Sequence, residues 1–338
     1  MTGTLERPTA SRPPATERAW GRWATALSPR SIGAGYVLVV IVVAFSIALP
    51  HTYPTLATVK QVANGYSITA LAALALVVPL ATRTFDLSFA YVMTLSGVTA
   101  AHLVVHGMDA IPAMLLGMLA ALAVGVVNGL VVVVMRIDSF IGTLATGSLV
   151  QAFIILFTNA QIIAGVELAG GFARLAQVQL VGLTGPAVYA VVVAAVLWFV
   201  LEHTAVGRRL YAVGFNPDAA RLAAIGVDRL RFASLLVSSG LAGFAGLCLA
   251  SSISAGSPTA GTAYLLPAFA AVFVGATQFK GGRFNAWGTL IAVVMLGAGT
   301  VGLSLSTAPN YAADMFTGVV LIGALAATGL QRRRIRRG

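Results

Sequence analysis

Long apolar stretches, parted by short polar or Pro/Gly breaks, set the pattern of the chain. They fall at 31–49, 61–81, 86–106, 112–135, 139–163, 184–202, 232–253, 264–279, 285–305 and 312–330. Most reach the ~20 residues that a helix needs to cross a bilayer. The stretch 264–279 is short for that and predicts a re-entrant or broken helix. Runs such as 36–49 and 122–134 are apolar throughout save for Ser46 and Asn128, whereas the strands of a membrane barrel alternate apolar and polar residues. The pattern therefore predicts helices.

Composition turns this pattern into a class. Only 9% of the residues are charged and 58% are hydrophobic, whereas a soluble domain carries about 25% charged residues. The mean hydropathy is +0.92. One cysteine, Cys248, excludes a disulfide-stapled scaffold and reads as a small packing residue within a span. The expectation is an all-α polytopic membrane protein of about ten transmembrane helices.

The net charge of +11 would suggest nucleic acid on a soluble protein. Its placement says otherwise. With the N-terminus inside and ten spans, 19 of the 21 Lys and Arg residues fall on the inner side, leaving only Lys60 and Arg174 outside. Basic loops mark the cytoplasmic face, so both termini are expected to be cytoplasmic and the partner is membrane lipid, not nucleic acid. The expected organisation is a basic, disordered N-terminal tail over 1–30, a transmembrane domain over 31–330 and a basic tail over 331–338. The first apolar run is long for a cleaved signal peptide and follows an unusually extended polar segment, so an uncleaved span is expected there.

The longest charged loop, 203–231, spells a short helix with marked ends. Asn216 can cap the free backbone N–H groups, and Pro217 suits the first helical position. Asp218 complements the positive helix end. Gly226 is expected to take the left-handed turn that closes the helix. Ala219, Leu222 and Ile225 would then share one face, with Arg221 beside them. Such a helix either lies along the membrane or docks into a groove on a cytoplasmic partner.

The segment 207–228 resembles the cytoplasmic coupling loop of permease subunits of ribose-type ATP-binding-cassette importers, in which Gly-Arg, Ala-x-Gly and Asn-Pro-x-Ala-Ala-Arg recur in this order. Asp86-Leu87-Ser88, Asn128-Gly129-Leu130-Val131, Phe140-Ile141-Gly142-Thr143-Leu144, Ser257-Pro258-x-Ala260-Gly261 and Gly281-Gly282-Arg283 agree in order from about residue 60 to 330. The chain departs from the family pattern at 84–89, which lacks the flanking glycines, and at Leu266-Pro267, where acidic residues are common. The resemblance implies a monosaccharide importer subunit. Gly207, Arg208, Gly214, Asn216, Pro217, Ala219, Ala220, Arg221, Leu222, Ile225 and Gly226 would couple it to a separate ATPase. It also implies a second permease subunit, identical or related, an extracytoplasmic solute-binding protein, and a bacterial inner-membrane location.

Within the spans, Gly117, Gly125, Gly129, Gly240, Gly243 and Gly246 permit close helix approach. Asn128, Thr143, Thr146, Gln151 and Asn159 are the deeper polar residues. They suit a translocation pathway for a hydroxyl-rich solute and suit helix–helix hydrogen bonding equally. Asp86, close to Arg83, reads as a local ion pair or helix cap. His102 and His106 have zinc-like spacing, but nothing completes a metal site. A shift of 200 places Ala70 on Ala270, Arg83 on Arg283 and Gly97 on Gly297, which suggests an internal repeat.

The chain has no Gly-x-x-x-x-Gly-Lys-[Ser/Thr] motif and no hydrolase motif. It is therefore expected to be no enzyme and to hold no cofactor, with ATP bound by a partner subunit. The alternative is an ion-coupled secondary transporter, which would need a persuasive set of intramembrane ionisable groups.

Overall fold

The computed structural model describes residues 33–278, 282–309 and 311–335, with side chains described at 35–276, 282–309 and 311–326. The expected N-terminal tail, Lys280 and Gly281 lie outside the described residues. Fourteen helices run in chain order among those described. They are α1 (Gly33–Ala48), α2 (Leu56–Gly65), α3 (Ser67–Ala81), α4 (Phe89–Val105), α5 (Ala110–Gly129), α6 (Ser139–Thr158) and the single turn α7 (Arg174–Gln177). After these come α8 (Gly185–His203), α9 (Ala205–Phe215), α10 (Pro217–Leu222), α11 (Val227–Ile253), α12 (Leu265–Gln278), α13 (Ala286–Leu305) and α14 (Tyr311–Ile335).

Every expected apolar stretch holds a helix. Among the described residues, five helices are long and apolar enough to cross a membrane, and a sixth span forms if α2 and α3, bent by 46°, are one broken crossing. The remaining apolar helices, over Gly35–Ala48, Phe89–Val105, Ala260–Ala276 and Tyr311–Ala326, are shorter. Several boundaries differ from those expected. The stretch 61–81 breaks at Tyr66, and 139–163 ends at Thr158, where Asn159 takes a left-handed φ of +50°. The stretch 112–135 finishes in a π-turn, Leu130–Val134. The helix α11 starts at Val227, inside the loop drawn at 203–231, and α14 runs on into the basic segment drawn at 331–338.

The bundle is layered around α3, in which every residue is buried. It packs against α8, α11, α12 and α13. Leu, Val and Ala occupy its whole circumference, as a helix surrounded by others requires. The helices α4, α5 and α11 form a second tight group, held by small residues. A methyl group added at Gly97 would sit 2.8 Å from the Gly246 carbonyl oxygen and 2.9 Å from the Ala250 Cβ. One added at Gly243 would lie 2.5 Å from the Ala121 Cβ. In lipid, close backbone approach of this kind supplies the packing that apolar collapse supplies in water. Around the bundle, α1, α5, α6, α8 and α14 expose Val, Leu, Ile and Phe, a surface suited to hydrocarbon and far too large for a water-facing monomer.

Two short strand pairs accompany the helices and leave the all-α class unchanged. A two-residue strand pair joins Ile163–Ala164 to Ala255–Gly256, and a hairpin pairs Gln179–Leu180 with Leu183–Thr184. The hairpin turn uses positive φ at both Val181 and Gly182, the backbone of a type I′ turn. Asn64 clasps it to α2, accepting from the Thr184 N–H at 2.9 Å and donating to the Gly182 carbonyl.

Candidate functional site

The charged arm between α8 and α11 is built from three local devices. Thr204 Oγ1 accepts from the Gly207 N–H at 3.3 Å and starts α9. Asn216 Oδ1 accepts from the Asp218 and Ala219 N–H groups, each at 3.1 Å, and Pro217 follows as the first helical residue of α10. The cap is the one expected from the sequence. The C-terminus of α10 differs. Gly226 has φ −70° and instead precedes α11, while Ala224 carries the left-handed φ of +57°. The Ile225 N–H bonds to the Ala220 carbonyl and the Ala224 N–H to the Arg221 carbonyl, both at 3.0 Å. This is a Schellman closure two residues earlier than expected.

That closure reverses part of the expected face. Ile225 turns inward onto a small core of Val213, Ala220 and Val227. The buried anchor is Ala220, while Ala219 is exposed. Leu222 is 91% exposed, and Phe215, just before the cap, is 83% exposed. Arg221 lies between two carboxylates, 3.2 Å from Asp218 and 3.5 Å from Asp228, which stiffens the outer side of α10. The arm thus presents two large apolar side chains on a fixed, charged frame.

The arm is fastened to the bundle at three points. Gly214 packs directly against the Ala81 carbonyl at the end of α3, and Gly207 against the Leu201 carbonyl at the end of α8. Tyr211 Oη donates to the Phe284 carbonyl at 2.8 Å, and the Arg283 guanidinium lies 5.0 Å from the centre of its ring. Burial pushes the Tyr211 phenol up to about 12, with the Glu202 carboxylate adding to the rise and Arg283 opposing it. A cleft of about 490 Å³ opens between these parts, with Arg83, Glu202, Arg208 and Arg283 in its wall. Sequence reasoning did not single out Tyr211, Phe215 or Phe284. The visible signal was an aromatic immediately before an Asn-Pro cap, the position from which a hydrophobic staple reaches a helix start.

The deeper polar residues find protein partners. Asn128 Nδ2 donates to Ser88 Oγ at 2.7 Å, and Ser88 Oγ donates to Asp86 Oδ1 at 2.6 Å. Thr143 Oγ1 accepts from the Leu87 N–H at 3.0 Å. These two therefore hold the turn between α3 and α4. Thr146 bonds within α6, Gln151 Nε2 reaches the Pro258 carbonyl at 3.1 Å, and Asn159 ends α6. Asn128 Oδ1 and Gln151 Oε1 are buried without a hydrogen-bond partner among the described residues.

Of the two roles expected for Asp86, the ion pair with Arg83 is not formed among the described residues. Asp86 is fully buried. Its carboxylate instead accepts from the Ser88 N–H in a short local turn. The ring centres of His102 and His106 lie 4.0 Å apart with the planes tilted by 32°, and no group of three metal-ligating side chains occurs among the described residues.

A lipid-facing bundle of buried and peripheral apolar helices, with its cations gathered at helix ends and on one arm, defines a multi-pass α-helical membrane protein. Comparison with known proteins narrows that class. Residues 58–325 match the family described as "Branched-chain amino acid transport system / permease component", and the chain belongs to this family. It is 31% identical to the ribose import permease protein RbsC of Bacillus subtilis, over 85% of this chain and 88% of that one. It is 27% identical to the D-allose transport system permease protein AlsC of Escherichia coli, over 87% and 90%. It is 30% identical to the L-arabinose ABC transporter permease protein AraH of Azospirillum brasilense, over 90% and 89%. No solved structure matches the chain.

Proposed function

We propose that this chain is the permease subunit of an ATP-driven, binding-protein-dependent importer of a monosaccharide or related small polar solute. It works in the cytoplasmic membrane of a bacterium. The observation that carries the reading is the exposed helix α10, capped at both ends, whose arm is fixed to the ends of α3 and α8 and to Phe284. An ATPase subunit binds ATP and receives Phe215 and Leu222 in a groove, the usual mode for a short amphipathic helix. Gly207 and Gly214 let the arm lie flat on the bundle, and Arg208 and Arg221 supply charge to the docking face.

The remaining parts of the reading follow from that role. Ten spans with both termini inside place 19 of 21 cations on the ATPase side. A second permease subunit completes the pathway, and a binding protein delivers solute to the face that carries the 179–184 hairpin. Asn128, Thr143, Thr146, Gln151 and Asn159 are the candidate solute-facing residues, and the repeat between the α3–α4 and α12–α13 units flanks the route. Sugar is preferred to the amino acids of the family description because the ribose, allose and arabinose relatives align over 85–90% of this chain.

The test is uptake of labelled ribose, arabinose and fructose by proteoliposomes holding this chain with its ATPase and binding protein. Gly214→Asp, or deletion of 217–225, is expected to abolish ATP-dependent uptake while insertion into the membrane persists. Full uptake by the deletion variant would overturn the coupling role. Uptake that survives without ATP and collapses with an ion gradient would replace the whole reading with a secondary transporter.

A further inference from the structure

Two non-glycine residues at neighbouring helix ends hold left-handed backbone, Arg83 and Arg136, each with φ +56°. A side chain in that region costs roughly 1 kcal/mol or more relative to ordinary helical geometry. Both arginines line the same cleft of about 460 Å³, together with Arg221 and Arg231. It lies between the end of α3, the π-turn after α5, the start of α6 and the arm preceding α11.

The charges in this cleft do not balance. Four guanidiniums face two carboxylates, Asp138 and Asp228. Asp228 pairs with Arg221. Asp138 Oδ1 accepts from the Phe140 and Ile141 N–H groups at 3.0 and 3.3 Å, which commits it to capping α6. Among the described residues, Arg83, Arg136 and Arg231 have no carboxylate within 4.0 Å. The Arg231 Nε is buried without a hydrogen-bond partner. Three cations with unused planar donors therefore converge on one space, the donor set that suits a phosphate oxyanion.

The surroundings add a second requirement. Val132, Val133 and Ile137 line the same cleft, and Val134, Met135, Ile137, Phe140 and Ile141 form an exposed apolar surface beside it. A free anion would use the arginines alone. A ligand with an anionic head and hydrocarbon tails would use both.

We propose that this cleft binds the phosphate of an anionic phospholipid, with its acyl chains along Val134, Ile137 and Ile141. Basic pockets between helix ends at the membrane surface take lipid head groups by this chemistry. The site depends on the lipid-facing fold and not on any role of α10 in coupling.

The experiment uses the full chain in detergent micelles doped with phosphatidylglycerol or with phosphatidylcholine, read by thermal unfolding and by native mass spectrometry. Phosphatidylglycerol is expected to raise the melting temperature and stay bound, and phosphatidylcholine to do neither. The double variant Arg136→Gln/Arg231→Gln should lose about tenfold in phosphatidylglycerol affinity. The double variant Arg209→Gln/Arg229→Gln, equal in charge change and outside the cleft, should keep it. If the cleft variant does not insert, Arg136→Gln alone, on an exposed turn, gives the same reading. Equal effects of the two lipids, or full phosphatidylglycerol binding by the cleft variant, would overturn the site. An equal shift with inorganic phosphate alone would assign the cleft to a free anion and overturn the lipid.

Discussion

Leu222→Ala separates docking from folding, because the side chain is 91% exposed and supports nothing within the subunit. Its removal should leave the melting temperature of the isolated permease unchanged. In a docked complex the same side chain would be fully desolvated. Truncation to Ala removes carbons worth about 0.8 kcal/mol per buried CH₂, or about 2 kcal/mol in all. At about 1.4 kcal/mol per factor of ten, that weakens ATPase binding about thirtyfold. The assay is the Kd between nanodisc-held permease and purified ATPase, run beside thermal unfolding of the permease alone. Ile225→Ala is the contrasting control: Ile225 packs against Val213, Ala220 and Val227, so this change should lower stability. A Kd within twofold of the parent for Leu222→Ala would refute the claim that α10 docks through its exposed apolar face.

Four further outcomes follow from the same geometry. Ala224→Gly should stabilise the arm by about 1 kcal/mol, since Gly holds the left-handed φ of +57° without the Cβ penalty; hydrogen-exchange protection of 217–225 would rise. Asn216→Ala removes the acceptor for two N–H groups and should cost about 1 kcal/mol of local stability by the same measurement. Gly246→Leu should prevent close packing of α11 on the Met93 carbonyl and abolish a folded, monodisperse protein in size-exclusion chromatography. The Tyr211 phenol is raised to about 12 in the folded state from the ordinary value of 10.0. Its contribution to stability is therefore complete below pH 10 and is lost as pH climbs toward 12. Ultraviolet titration should show this phenol ionising late, and Tyr211→Phe should remove that part of the alkaline loss of stability.

What could be read from the sequence was local or continuous. The Asn216 cap and Pro217 depend on neighbouring backbone groups alone, so their chemistry is written in adjacent residues. The closure of α10 is not. Gly226 has the right intrinsic freedom, but Ile225 must fall back on Ala220 and Val213, and that contact places the left-handed turn at Ala224. The π-turn at Leu130–Val134 interrupts an apolar run whose composition does not change across it, whereas the break at Tyr66 follows a polar stretch, Lys60, Gln61 and Asn64, that the drawn span absorbed. Nor did periodicity distinguish α3, buried on every side, from α6, which exposes Leu149 and Leu156. Hydrocarbon is as apolar as the protein interior, so the usual contrast between faces disappears. The ion pair expected between Asp86 and Arg83 fails for the same kind of reason. The nearest charge in sequence is Arg83, but the turn sends Asp86 into the bundle and Arg83 outward.

The attachment points of the arm explain how a six-residue helix could govern a whole bundle under the proposed coupling. Gly214 touches the end of α3, the most enclosed helix, while Tyr211 holds Phe284, which leads into α13. These two helices pack against each other, so a displacement of the arm reaches the interior without passing through a flexible linker. Docking shifts the bundle only by the difference in binding energy between two states. Moving a population from 1:99 to 99:1 takes about 5.5 kcal/mol. If buried in only one of the two states, Leu222 would supply about 2 kcal/mol of that, and Phe215, 83% exposed, a similar amount. Neither side chain suffices alone, and the two together fall somewhat short, which leaves the rest to the charged frame of Arg208 and Arg221. Loss of either apolar knob should therefore leave a subunit that still binds its ATPase weakly but transports little, because the energy that switches the bundle is spread over several contacts.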